Sequence, residues 1–123
     1  MVVVEYRALE KLVTTMIQAA GSELEEAKAV ATNLVEANLM GHDSHGVGLS
    51  PRYMLHALTG TMTPGAEVSL ITDSGPYLLL DGNMGYGQII GRKTMEIGVE
   101  KVKQNGAAIV GLRNVHHLGR IGA

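Results

Sequence analysis

Glycine is distributed unevenly along this 123-residue chain, and that distribution constrains the fold more than any other feature. All but one of the 16 glycines follow residue 40. Glycine inside a helix lowers its stability by about 1 kcal/mol relative to alanine, so long helices contain few glycines. Before residue 40 the sequence has helical periodicity, and after it short apolar runs alternate with glycine-containing turns. The sequence therefore predicts a helical first third and a turn-rich remainder.

Two amphipathic helices are predicted in the first third. Apolar side chains recur at i, i+3, i+4 and i+7 over residues 7–20, and a second such run ends at Gly41. Because each helix has one apolar face, we expect the two to pack as a helical hairpin. The residues predicted to be buried are Leu9, Leu12, Val13, Met16, Ile17 and Ala20 on the first helix, and Ala27, Val30, Ala31, Leu34, Val35 and Leu39 on the second.

The remainder of the chain predicts a mixed α/β segment. Two antiparallel strands are expected around a turn that contains Gly75 and Pro76, and a buried strand is expected near the end. The expected elements are a helix at 51–59, strands at 68–71 and 77–80, a helix at 88–104 and a strand at 107–112. The fold class is therefore α/β: a helical hairpin followed by a small mixed sheet with helices. We divide it into a helical segment, 1–60, and an α/β segment, 61–123.

The composition argues against several classes of protein. There is no cysteine, which excludes disulfides and thiolate metal sites. No apolar run approaches the roughly 20 residues of a membrane helix, and a net charge of -2 without a basic stripe argues against nucleic-acid binding. We therefore expect a cytoplasmic protein that binds neither membrane nor nucleic acid. Because Trp and Phe are absent, we expect Leu, Ile, Val and Met to supply the core volume.

A loop rich in reactive side chains, GHDSHGVG, occupies residues 41–48. His45 lies between Ser44 and Gly46, and imidazole is the side chain best suited to move protons near neutral pH. From the residues alone, an ordinary loop histidine explains the pattern equally well. His42 and Asp43 could add metal ligands, but two imidazoles are too few for a closed zinc site, so we expect no metal.

The segment GYGQIIG at residues 85–91 resembles a dinucleotide-binding glycine motif after a strand. In that interpretation Arg113, at the end of the next strand, could hold a 2′-phosphate. The Asp81–Met84 insertion and the late position of Gly91 count against it. Glycines used for turns and close packing are the favoured interpretation.

A second polar cluster follows the last predicted strand. It contains Arg113, His116, His117 and Gly119. Ligands of open α/β sheets bind beyond the carboxyl ends of strands. An exposed loop tip would explain this cluster too, but two glycine-flanked histidine loops in one chain favour a joint site. We therefore expect His45 and His117 to face one pocket.

Three segments together resemble a known family. LVEANLMGHDSHGVGLSPRY, DGNMGYGQ and LRNVHHLG occur in the order and spacing of the non-Rossmann malate/L-lactate dehydrogenase family, which also holds sulfolactate and ureidoglycolate dehydrogenases. The resemblance extends from the first helix to residue 123 and implies that the glycine motif is a turn and helix start. It implies an oxidoreductase that transfers hydride between NAD or NADP and a small 2-hydroxy or 2-keto acid. It also implies a homodimer.

The resemblance assigns roles to individual residues. The histidine of the family's Ser-His-Gly segment, a proton donor or acceptor, corresponds to His45, and a second family histidine with a catalytic role corresponds to His117. Ser44 is expected to contact substrate, and His117 and Gly119 to contact the cofactor. Arg52 or Arg113 is expected to hold the substrate carboxylate, since a guanidinium binds a carboxylate in a bidentate fork.

The chain departs from the family in two ways. Many members have an arginine four residues after the Ser-His-Gly histidine, whereas this chain has Leu49 there and Arg52 one turn later. Members are also two to three times longer, which predicts that this chain is an N-terminal portion and is inactive alone. Two alternatives remain: a non-catalytic dimerisation or binding module, and a Rossmann NADP-binding half-domain, which needs a parallel β–α–β unit that begins at Tyr77.

Overall fold

The computed structural model describes residues 2–122, and within them four α-helices and three strands alternate as α1, α2, α3, β1, β2, α4 and β3. Two short 3-10 turns, Asp43–His45 and Val47–Leu49, connect the second and third helices. The predicted α/β class, with a helical hairpin before a small mixed sheet, is confirmed. The bounds are α1 Tyr6–Ala19, α2 Leu24–Leu39, α3 Ser50–Leu58, β1 Ser69–Ser74, β2 Tyr77–Asp81, α4 Gly87–Asn105 and β3 Ile109–Arg113.

The hairpin of α1 and α2 packs through the predicted apolar faces, with two exceptions. Leu12 and Leu39 were predicted to be buried, but their exposed fractions are 57% and 62%. On α1 the buried face is centred between Val13 and Ile17, which places Leu12 at its margin. Thr14 is buried instead, because its hydroxyl donates to the Glu10 carbonyl at 2.8 Å and so needs no water.

Two tyrosines provide the largest buried side chains, so the expectation of a purely aliphatic and methionine core is wrong. Tyr53 of α3 and Tyr86, just before α4, are 1% and 0% exposed. Their rings lie 5.9 Å apart and belong to the same cluster as Ile17 and Leu34. In a chain without Trp or Phe, tyrosine is the largest available residue that can fill this volume.

The sheet has three described strands in the order β1-β2-β3. β1 runs antiparallel to β2, as predicted, and β3 runs parallel to β2 after the α4 crossover. Asp81 and Arg113 are register partners at the carboxyl ends of β2 and β3. Within the described part of the chain, every helix is too short or too polar to cross a bilayer.

The β2–α4–β3 unit is the parallel β–α–β arrangement that the Rossmann alternative requires, so topology alone does not exclude it. The glycines decide the matter. A Cβ at Gly87 would lie 2.2 Å from the His117 carbonyl oxygen, and one at Gly91 would lie 2.4 Å from Cδ1 of Ile121. The protein's own atoms fill the space beside these glycines, so they serve close packing, as the favoured interpretation predicts.

Alanine substitutions at a buried and at an exposed position of α1 should have clearly different effects on stability. Ile17→Ala is expected to lower the free energy of unfolding by about 2–5 kcal/mol, because Ile17 is 0% exposed and its removal leaves a cavity. Leu12→Ala, on the same helix, should change it by less than about 0.5 kcal/mol. Urea unfolding followed by far-UV circular dichroism measures both, and equal losses would contradict the burial described here.

Candidate active site

Asn38, in the last turn of α2, organises the loop that carries His45. Its amide nitrogen donates to Asp43 at 2.6 Å, and its amide oxygen accepts the Val47 backbone N–H at 2.7 Å. A Cβ at Gly46 would lie 2.1 Å from that oxygen, so the glycine permits the contact. The loop is therefore fixed at both ends by one side chain.

The second histidine loop begins at a charged anchor on the sheet. Asp81 accepts the Asn83 backbone N–H at 2.8 Å, the Asn114 amide at 2.8 Å and the Arg113 Nε–H at 3.0 Å. These donors, the Asn83 N–H most of all, hold the pKa of the Asp81 carboxyl below its usual range. The ionised carboxylate thus fixes the point at which the chain leaves β3.

Backbone contacts seat this second loop against the glycine turn. The Met84 N–H donates to the Asn114 carbonyl at 2.6 Å, and the His116 N–H donates to the Gly85 carbonyl at 3.1 Å. Gly87 lets the backbone of His117 lie directly on the start of α4. The positions of His116 and His117 therefore follow from main-chain packing.

The two histidine loops meet at His45 and His117. Their ring centroids are 5.6 Å apart, with the planes tilted by 31°. The Ser44 hydroxyl lies 2.9 Å from Nδ1 of His45. Two segments that are far apart in sequence thus bring two imidazoles and a hydroxyl into one site, which is the chemistry needed to accept and release a proton.

Tyr53 connects the site to the core. Its hydroxyl lies 2.8 Å from Nδ1 of His117 and accepts a hydrogen bond from Nε2 of Gln88 at 3.1 Å. Burial raises the pKa of Tyr53, against a smaller opposite effect of the Gln88 hydrogen bond, so the phenol stays protonated near neutral pH.

A second pair of imidazoles, His56 and His116, lies next to Tyr53. Nδ1 of His56 lies 2.6 Å from Nε2 of His116, and the His116 ring meets the Tyr53 ring edge-on at 5.4 Å. Nδ1 of His116 is buried without a partner among the described residues. Burial, then His56, His117 and the Arg52 guanidinium, lowers the pKa of His116.

The pKa of His117 is lowered for similar reasons. Burial first, then the neighbouring His45 and the Arg52 guanidinium, lowers its pKa. Arg52 therefore lies close enough to act on both histidines of the second loop, although its side chain is exposed. Both imidazoles are neutral at pH 7, so each can accept a proton.

The structure brings some of the predicted site residues together and leaves others apart. It brings Ser44, His45 and His117 together, with Arg52 nearby. Arg113 instead pairs with Asp81 at the end of the sheet. Leu49, at the family's arginine position, packs against the core.

Gly119 lies beside the Tyr53 network. Its φ is +65°, and a Cβ there would lie 2.9 Å from both Nε2 of Gln88 and Oδ1 of Asn33. Glycine lets the end of the second loop approach Gln88 this closely.

Sequence reasoning missed three residues of the site: Tyr53, His56 and Gln88. Tyr53 and His56 are three residues apart on α3, directly after the His45 loop, and therefore share a face. That spacing was a usable signal. Gln88 had none, because only the packing of α4 against α3 shows that its amide meets a phenol.

Comparison with known proteins identifies the family of this chain. The profile of the malate/L-lactate dehydrogenase family matches residues 4–123. This chain belongs to that family. It is 39% identical over 116 residues to hydroxycarboxylate dehydrogenase B of Escherichia coli, covering 94% of this chain and 32% of the relative.

Other relatives give the same result. The chain is 34% identical over 113 residues to L-sulfolactate dehydrogenase of Methanocaldococcus jannaschii, covering 92% and 33% of the two. Malate dehydrogenase from Pyrococcus horikoshii OT3 superposes with a TM-score of 0.86 at 34% identity, covering 96% of this chain and 34% of that one. The chain thus spans about a third of the length of these relatives. The family match and the structural match favour the family interpretation over the Rossmann alternative.

Replacement of Gly87 should displace the second histidine loop. In Gly87→Ala the new methyl group would meet backbone atoms of His117 and Leu118 at 2.2–2.5 Å, which rotamer changes cannot relieve. We expect a stability loss of about 1–3 kcal/mol and changed NMR shifts of the histidine rings. Gly48→Ala, where no atom lies within 4 Å of the added Cβ, should change neither.

Stability should fall on mild acidification. The pKa values of His116 and His117 are lowered in the folded state, so the unfolded chain binds more protons than the folded chain below about pH 6.5. The stabilisation is fully present above that pH and is lost as pH falls through the folded pKa values. Urea midpoints between pH 5 and pH 8 measure this, and a midpoint that rises on acidification would contradict it.

Proposed function

We propose that this chain supplies the proton-transfer groups of an oxidoreductase that interconverts small 2-hydroxy and 2-keto acids with NAD or NADP. The observation that carries the proposal is the meeting of His45 and His117, whose rings are 5.6 Å apart. The names of the relatives support the substrate class, because they act on malate, sulfolactate and other hydroxycarboxylates.

The residues present fit a nicotinamide cofactor. Nδ1 of His116, whose ring meets Tyr53 edge-on, is one of the buried polar atoms that no described residue satisfies. Such atoms leave hydrogen-bonding capacity for a polar ligand. His117 and Gly119 would contact the cofactor, which when bound supplies or accepts the hydride at C2.

The histidines would move the proton at the C2 oxygen. In the reduction of a keto acid, an imidazolium at His45 or His117 donates its proton to the oxygen as C2 becomes a carbinol carbon. In the reverse direction the neutral ring accepts that proton, and the lowered pKa of His117 keeps it neutral at pH 7. An imidazolium beside the oxygen also stabilises the negative charge that develops there.

Arg52 is the better candidate of the two arginines for the substrate carboxylate. It acts electrostatically on His117, whereas Arg113 is held by Asp81. Arg52 is also exposed and free to turn its guanidinium towards an anion. We further propose that the complete enzyme is a cytoplasmic homodimer, as the resemblance implies, with Ser44 near the substrate.

Histidine substitutions test the role in an active enzyme. In a chimaera in which this chain replaces the matching third of hydroxycarboxylate dehydrogenase B, His45→Ala and His117→Ala are each expected to lower kcat by about 10²–10⁴. His42→Ala is the control, because His42 contacts the Met40 carbonyl and lies outside the pair. Steady-state oxidation of NADH or NADPH by 2-keto acids measures kcat.

Two results would count against the proposal. Wild-type turnover in both histidine variants would remove the proton-transfer role. Turnover by the 123-residue chain alone would contradict the separate expectation that it is inactive by itself, because we expect hydride transfer to need a second lobe that holds cofactor and substrate together. Tight dimerisation of the chain without any nicotinamide binding would favour a non-catalytic dimerisation module.

A further inference from the structure

Gln88, Tyr53 and His117 form a hydrogen-bonded chain whose direction can be derived from chemistry. Gln88 meets the Tyr53 oxygen through Nε2, which only donates. The phenol has a single proton, and its other contact is Nδ1 of His117 at 2.8 Å. Tyr53 therefore donates to His117, and Nδ1 of the neutral ring is an acceptor.

This direction fixes the tautomer of His117. A neutral imidazole carries one N–H, so if Nδ1 accepts, the proton is on Nε2. Tyr53 and Gln88 are 1% and 7% exposed, so the hydrogen bond between them is shielded from water. The titratable or charged groups that face His117 are Tyr53, His45, His116 and Arg52.

A protonated His117 needs the opposite direction. Both ring nitrogens of an imidazolium donate, so the Tyr53 oxygen would have to accept from Nδ1 and its own proton would need another acceptor. Oε1 of Gln88 is buried and has no partner among the described residues. Rotation of the Gln88 amide by half a turn would present this oxygen to the phenol, so the Tyr53 hydroxyl and Nδ1 of His117 would both be paired again. The other end of the amide has no partner among the described residues in either orientation.

We propose that Tyr53 and Gln88 are positioning residues for His117, which fix its neutral tautomer and reverse their hydrogen bonds when it gains a proton. The arrangement keeps the Tyr53–His117 contact hydrogen-bonded in both protonation states of His117. The buried Tyr53 hydroxyl is then never left without a partner, which would otherwise oppose proton transfer. The catalytic consequence rests on the proposed role of His117, but the tautomer does not.

Nitrogen NMR of ¹⁵N-histidine-labelled chain reads the tautomer directly, since protonated and bare ring nitrogens have widely separated shifts. His117→Gln assigns the signals. We expect Nε2 of wild-type His117 to be protonated and Nδ1 bare at pH 8. In Tyr53→Phe, which keeps the buried ring, the Nδ1 resonance should move to the position of a free imidazole. An unchanged resonance would overturn the proposal.

Gln88→Glu should reverse the direction of the hydrogen bonds that run from residue 88 through Tyr53 to His117, because a carboxylate only accepts. Once the ¹³C shift of Glu at this position shows ionisation, the phenol should donate to it, and Nδ1 of His117 should become protonated. A bare Nδ1 beside an ionised carboxylate would overturn the proposal, and if the carboxyl never ionises, Tyr53→Phe decides alone. Gln104→Glu, exposed on the same helix, and Tyr77→Phe, exposed on β2, are matched controls that should leave Nδ1 unchanged.

Kinetics of the chimaera separate this proposal from the proposed function. Tyr53→Phe is expected to lower kcat by up to about 10²-fold and to shift its pH profile, with a smaller effect on KM. If the nitrogen shifts respond as expected but His117→Ala leaves kcat unchanged, the positioning role stands and proton transfer by His117 is rejected. If the nitrogen shifts do not respond, the positioning role is rejected whatever the kinetics of His117→Ala.

Discussion

The site depends on Tyr53, whose ring is buried in the core while its hydroxyl reaches a histidine of the site. Its ring is part of the same apolar cluster as the α1–α2 hairpin, and its hydroxyl bonds His117. A single side chain therefore transmits the rigidity of the core to the reactive loop. A buried phenol is cut off from water, and the partners of the Tyr53 hydroxyl are the imidazole of His117 and the carboxamide of Gln88. The packing of the core and the geometry of the site therefore depend on the same side chain.

Main-chain contact between the second histidine loop and α4 also positions the site. The loop that carries His116 and His117 lies on the start of α4, because Gly87 offers no side chain at the point of contact. Asp81 fixes the other end of this loop through three donors. A loop held at both ends on regular elements keeps a defined geometry, which the proposed proton transfer would require.

Much of the site was predictable because its signals are local. His45 and His117 stood out through glycine neighbours, and the β2 and β3 strands through apolar runs. Tyr53, His56 and Gln88 did not, because each is ordinary in its own segment and takes part in the site only through partners more than 30 residues away. The ligand role predicted for Arg113 stays a prediction, and its pairing with Asp81 could not be read from the sequence for the same reason, because it depends on the register of β2 and β3.

The sequence by itself determined the elements: apolar periodicity set α1 and α2, and glycines set where the turns fall. It also determined the family, since its three motifs are contiguous runs of residues. Only the tertiary structure decided which glycines serve packing, which tyrosines fill the core and which nitrogen of His117 faces a donor. Periodicity is a property of neighbouring residues, whereas burial and hydrogen-bond direction depend on atoms that the chain brings together only when it folds.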